Sequence, residues 1–226
     1  MKFAQFLKEY LIDQNGYEDL SNQYPSDDSR WKLYKEDCQS YLNYNIDLFR
    51  GMGDRNFEFG VQTVRKDRKP KDTNVIFDSL VNKFLKEKNL PLRRESVFAS
   101  RNKHQTEEFG NVYLIFPIGE FRYAWIPNVA DLIDIQKPVF EYVSESELAE
   151  FEKLSFEIAM SVFETRIMEK LMGHKIDRNI ATKRTNELYF LKQKLQSIET
   201  KKFPVRGELT EVWIDCKEYY FEKYQP

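Results

Sequence analysis

Cysteine and histidine are scarce in this chain: Cys38 and Cys216, His104 and His174 are all there are in 226 residues. They stand far apart, which excludes zinc-ligand spacing, a disulfide framework and a thiol–imidazole signature. Long apolar runs are missing as well. The opening stretch "MKFAQFLKEYLIDQNG" places Phe3, Phe6, Leu7, Tyr10 and Leu11 at helical spacing, but Lys2, Gln5, Lys8 and Glu9 interrupt them. It reads as an amphipathic helix, because a signal peptide needs an unbroken apolar segment. With no run suited to a membrane-spanning helix, the expected compartment is the cytoplasm. An excess of one charge is the third absence: 35 Lys and Arg face 37 Asp and Glu, a net charge of −2. No global field draws the protein to nucleic acid, so any such contact must be local.

What the chain has in quantity is aromatic side chains, 18 Phe, 13 Tyr and 3 Trp, which argue for a folded protein. Core packing is their more common use and stacking on a flat ligand ring the second. The length suits one domain, with residues 1–44 as an N-terminal helical part and 45–226 as the core. The one local basic cluster is "VRKDRKPKDTN", where Arg65, Lys66, Arg68, Lys69 and Lys71 surround Pro70. It is either a solvated loop or a phosphate contact.

Periodicity orders the elements. Trp31, Leu33, Tyr34, Cys38, Tyr41 and Leu42 recur at helical intervals, and "FEFGVQTV" alternates as a strand. Asp72 or Thr73 is expected to cap a helix with Ile76, Phe77, Leu80, Val81 and Phe84 on its apolar stripe, ended by Pro91. Strands are expected in "ESVFAS", "NVYLIFPIG" and "EFRYAWIP". Ser144 and Glu147 form a capping box for a long helix through Leu148, Phe151, Leu154, Ile158, Val162 and Ile167 to Gly173. A helix "RTNELYFLKQKLQSIE" and a final strand "TEVWIDC" follow. Helices, then strands, then helices, then a strand make the fold class α+β.

Three strand-associated pieces carry chemistry. "NIDLFRGM" ends an apolar run with Arg50 and follows it with Gly51, "VFASRNKHQTEEFG" holds Phe98, Ser100 and Phe109, and "GELTEVWI" sets Glu211 before Val212, Trp213 and Ile214. Glutamate is depleted in strands, so its place there calls for a reason. A solvated strand end is the alternative for Arg50, and core packing for Phe109.

In this order the three pieces resemble the mono-ADP-ribosyltransferase superfamily of the arginine–serine–glutamate type, in particular the small transferases of bacteriophages. The resemblance implies a split β-sheet core with a long helical insertion before the last strands, NAD as substrate and no metal. It implies that Arg50 grips the NAD phosphates, that Gly51 allows close approach of the ligand and that Ser100 holds Glu211 or the ribose. Phe98, which precedes that serine, is among the NAD-binding residues, and Phe109, or a neighbouring Tyr or Phe, stacks on nicotinamide. Glu211 is then the catalytic residue, bonded to the ribose 2′-OH as the glycosidic bond opens. The loop "KKFPVRGEL" becomes the target-recognition turn, with Phe203, Arg206 and Glu208 as its contacts. Arg68 and Asp72 fall in a run that phage proteins of this type also carry.

One position departs from the pattern. Leu209 stands where arginine-modifying members have Glu or Gln, which leaves open whether the acceptor is a host protein, a nucleic acid or a small molecule. The expected activity is transfer of ADP-ribose from NAD to a host macromolecule, in the host cytoplasm if the chain is phage-encoded. The alternatives are a non-catalytic binding module on the same fold and an NAD glycohydrolase.

Overall fold

A computed structural model describes residues 16–53, 55–66, 74–135 and 153–225 as an α+β fold with two antiparallel sheets. The elements run β1 (Tyr17–Asp19), α1 (Asp27–Asp37), α2 (Gln39–Leu42), β2 (Phe49–Gly51), β3 (Phe59–Thr63) and α3 (Val75–Glu87). A 3₁₀ turn at Arg93–Glu95 leads to β4 (Val97–Ala99), α4 (Lys103–Glu107), β5 (Val112–Pro117) and β6 (Arg122–Trp125). Then come α5 (Phe156–Met172), α6 (Arg178–Gln196), β7 (Val212–Asp215) and β8 (Glu218–Lys223). Among the described residues no helix is long and apolar enough to cross a membrane.

The larger sheet has the order β1-β3-β8-β5-β2 and the smaller one β4-β7-β6. Its central strand, β8, is absent from the expectation above, which ended the chain's strands at Cys216. Lys217, Glu218, Glu222 and Lys223 hide it in the sequence by flanking the short run Tyr219-Tyr220-Phe221 with charge on both sides. The fold absorbs the charge locally: Glu222 receives Arg30 Nη1 at 2.6 Å and the Tyr34 hydroxyl at 2.9 Å. Phe221, paired with Gly60 and Ile115, is fully buried.

The residues before 45 are not all helical, since β1 pairs with β3. The first helix starts at Asp27, where Ser26 and Ser29 cap reciprocally, and breaks at Cys38. α3 is capped by Asn74, whose side chain accepts from the amides of Ile76 at 2.9 Å and Phe77 at 3.2 Å. Neither Asp72 nor Thr73 is that cap; both lie outside the described residues, as do Phe3 to Leu11, Arg68 and the Ser144–Glu147 box. α5 is capped by Ser155, so Leu154 precedes that helix, and its end at Gly173 agrees with expectation. The next helix begins at Arg178, ahead of the expected Arg184, because Asp177 supplies the cap.

Two cores follow from side-chain alternation on the smaller sheet. Val97, Ala99, Tyr123, Trp125, Val212 and Ile214 join a core with the larger sheet and the first helices. Ala124 and Trp213, with Phe98 packed against them, join a second core with α3, α5 and α6. Strands apolar on both faces read as continuous apolar runs, which is how "VWI" and "YAWI" look in the sequence. Aromatic rings fill much of the first core, with Tyr34 stacked on Phe116 at 4.0 Å. Buried rings of this size dominate core energetics.

Candidate active site

The two sheets meet at Phe49 and Ser100, which exchange backbone hydrogen bonds of 2.8 Å in each direction. That pair places Arg50, next along β2, beside β4, and Arg50 Nη1 donates to the Phe98 carbonyl at 2.9 Å. On the other side of β4, Ala99 pairs with Val212. Ser100 and Glu211 are therefore the next positions along their strands, and period-two alternation puts both on the face of Phe98 and Trp213. Arg50, Ser100 and Glu211, spread over 161 positions of the sequence, gather at one sheet junction because of these two pairings.

Arg50 has no carboxylate partner among the described residues, and its Nε is buried without a hydrogen bond. A buried unmade donor costs about 1–3 kcal/mol, and Arg101 and Arg184 each leave Nε in the same state. Glu211 is the opposite case. Arg93 Nε lies 3.4 Å from its Oε1, and the indole Nε1 of Trp213 donates to the same oxygen. Oε2 has no hydrogen bond to a described residue, and the side chain is 14% exposed. Burial raises the pKa of this carboxyl above the usual glutamate range; Arg93 opposes the rise and the charge of Asp131 adds to it.

Arg93 is part of a small charge network that residue patterning did not indicate. Its Nη1 is 3.5 Å from Asp78 Oδ1, its guanidinium lies 4.7 Å from the Phe98 ring centre, and Arg94 Nε holds Asp78 Oδ2 at 2.6 Å. Asp78 is 1% exposed. The available signal was an aspartate standing within the apolar stripe of α3; its partners, in the turn before β4, were not legible.

Of the two partners expected for Ser100, Glu211 or the ribose, the structure bears on the first. Ser100 Oγ donates to Gln105 Oε1 at 2.8 Å and accepts from the Asn102 amide at 3.0 Å, and makes no hydrogen bond to Glu211. The serine organises the start of α4, and Gln105 passes the link on to the Ala130 carbonyl at 2.6 Å. Gly51 has protein neighbours where a side chain would be. A Cβ there would sit 2.2 Å from the Thr106 carbonyl oxygen and 2.6 Å from Phe109 Cβ. The space left by the missing side chain is filled by the end of α4, which brings Phe109, 59% exposed, alongside Arg50's strand. Phe98 offers its carbonyl to Arg50 and its ring to Arg93, so its ring is a structural platform.

The loop expected to read the target flanks this junction. Arg101 Nη1 holds the Pro204 carbonyl and Asn102 Nδ2 the Gly207 carbonyl, each at 2.8 Å. Gly207 has φ of 82°, a left-handed conformation that suits glycine. Arg206 and Leu209 are exposed at the loop surface. Phe203 is not free to probe a partner, because its ring stacks on Tyr123 at 3.7 Å and meets Tyr44 edge-on. Glu208 is also engaged, accepting from the Val205 amide at 3.1 Å within the loop.

Other sources of chemistry are weaker. Burial, with help from Asp37 and Asp215, pushes the thiols of Cys38 and Cys216 up to about 12, so neither is a nucleophile at neutral pH. Among the described residues no group of three or more His, Cys, Asp or Glu is arranged to hold a metal ion. A surface depression of about 600 Å³ on α6, lined by Asn179, Thr182, Lys183, Asn186, Glu187 and Phe190, includes none of the residues above. No protein-family model, curated protein or solved structure matches the chain.

Proposed function

We propose that the chain is an NAD-dependent mono-ADP-ribosyltransferase, with an ADP-ribosyltransferase-like split sheet as its core. The observation that carries the reading is the pair of backbone pairings, Phe49 with Ser100 and Ala99 with Val212, that set the strands of Arg50 and Glu211 on either side of β4, with Arg50 lacking a carboxylate partner and Glu211 Oε2 a hydrogen bond among the described residues.

NAD presents a pyrophosphate, a cationic nicotinamide leaving group and a ribose whose C1′ becomes oxocarbenium-like as the glycosidic bond opens. Arg50 grips the phosphate oxygens, as a planar guanidinium does well. Phe109 stacks on the nicotinamide ring. Glu211 Oε2 accepts from the ribose 2′-OH and stabilises the charge that develops at C1′, an interaction stronger in the transition state than in the bound substrate. The bond from C1′ to the nicotinamide nitrogen breaks, its electron pair leaves with nicotinamide, and a nucleophile of the acceptor bonds to C1′ while losing its proton. Ser100 acts through Gln105 and α4, positioning Phe109 rather than touching Glu211.

The acceptor is a host macromolecule, protein or nucleic acid, met by Arg206 and Leu209 on the neighbouring loop. Leu209 cannot take a proton from an arginine, and Glu208, which accepts the Val205 amide through Oε2, is the one carboxylate of the loop left for that role, so the acceptor is an arginine only if Glu208 serves as the base. A second reading, a binding module without catalysis, has one observation in its favour: Glu211 is already partnered by Arg93. Incubation with NAD separates the readings. Nicotinamide release that is lost in Glu211→Gln supports the transferase; a stable partner captured with no NAD binding in calorimetry supports the module. Release undiminished with water as the sole acceptor points to the glycohydrolase.

A further inference from the structure

Arg93 lies in the turn between α3 and β4, 8% exposed, with three neighbours that fix it from different sides. Asp78 on α3 holds Nη1, the Phe98 ring on β4 lies under the guanidinium, and Glu211 before β7 takes Nε. Arg94 occupies the other oxygen of Asp78. Two arginines and two carboxylates thus form one network, in which Asp78, Arg93 and Glu211 are largely buried and Arg94 reaches the surface.

The bonds to Glu211 are lopsided. Arg93 and the Trp213 indole both take Oε1, which fixes the carboxylate plane and leaves Oε2 as the unbonded oxygen. A carboxylate in an apolar setting tends to take up a proton, and a protonated acid would donate to a ribose hydroxyl where catalysis needs an acceptor. The groups that decide its state are Arg93 from the turn, Trp213 from its own strand and Asp131 from the segment after β6, with Asp78 acting on Arg93 from α3.

We propose that Arg93 is the positioning residue for Glu211: it keeps the carboxylate ionised and turns Oε2 toward the substrate. This rests on reading the junction as a transferase centre. Arg93 touches no substrate and acts only through Glu211.

The test uses the Trp213 indole N–H, which donates to Glu211 and so reports its ionisation. The indole signals of the 3 tryptophans are followed by ¹⁵N–¹H NMR across pH, with Trp213→Phe assigning the signal and Glu211→Gln the transition. Arg93→Gln should move the midpoint upward by about one unit or more, the size expected for removal of an opposite charge at this range. Asp78→Asn should move it downward, because one acid fewer competes for Arg93. The acid limb of the pH profile of nicotinamide release should move with each midpoint, and Arg93→Lys should restore part of the difference.

A midpoint unmoved in both Arg93→Gln and Asp78→Asn overturns the proposal, and should either variant fail to fold, the other decides alone. A wild-type chain that titrates as described yet cleaves no NAD overturns the transferase reading, and the midpoints still decide whether Arg93 sets the charge of Glu211.

Discussion

Phe49 and Ser100 exchange backbone hydrogen bonds of 2.8 Å across the gap between the two sheets. Through this pair the strand of Arg50 lies against β4, whose other edge carries the strand that follows Glu211, and the geometry of the candidate centre depends on it. Ser100 is 2% exposed, so its contribution is to hold strands and helix in place.

Arg50 has Nη1 bound to the Phe98 carbonyl and Nε buried without a partner. Loss of a charge-assisted phosphate contact costs about 1.5–3 kcal/mol, or about 10- to 150-fold in affinity. Arg50→Gln should therefore raise KM for NAD by that factor while the thermal melt without NAD changes little. Arg50→Lys should recover only part, because a single ammonium cannot make the paired contact.

Gly51→Ala should destabilise the protein in the absence of any ligand. The added methyl meets the Thr106 carbonyl and the Phe109 backbone and side chain, so α4 must shift. Overpacking of this kind costs about 1–3 kcal/mol, and at this chain length each kcal/mol lowers Tm by about 2–4 °C. Calorimetry of the ligand-free protein checks this; an unchanged Tm with impaired NAD binding would instead return Gly51 to the role of admitting the ligand.

Glu211→Gln should remove activity and raise stability at neutral pH. The folded-state pKa of Glu211 is raised by burial, so the fold favours the protonated acid and loses stability as pH rises through that pKa. A neutral amide avoids this loss. The Tm advantage of the variant should be largest near pH 7 and should shrink toward pH 4, where the wild-type acid is itself protonated; melts at several pH values measure it. A variant less stable than wild type at every pH would mark the Arg93 pair as a net stabilising ion pair.

Phe221→Ala tests the placement of β8. Phe221 is fully buried at the centre of the larger sheet, packed on Tyr17, Phe57 and Tyr113. Removing such a ring costs about 3–5 kcal/mol, a large share of a domain's stability. Urea unfolding should show a midpoint far below that of wild type.

Much of the fold was legible where one physical rule dominated. α3 follows from its apolar stripe, β5 and β6 from alternation and turn residues, and β7 from an apolar run buried on both faces. β8 was not, because its charges look solvated until Arg30 and Tyr34, 192 and 188 positions away from Glu222, arrive to pair them. The same limit applies at the site. Arg50 and Glu211 stood out as residue types out of place in strands, whereas Arg93 acquires meaning only from Glu211, 118 positions along the chain. At Gly51 the sequence says that space is needed without saying what fills it.

Nicotinamide release from NAD, measured side by side for the wild-type chain and Glu211→Gln in the presence of a host lysate, tests the central claim most directly. The wild-type protein should release nicotinamide and leave ADP-ribose attached to a lysate component, and Glu211→Gln should do neither while remaining folded. Equal release by the two proteins, or none by either, contradicts the assignment of Glu211 as the catalytic carboxylate of an ADP-ribosyltransferase.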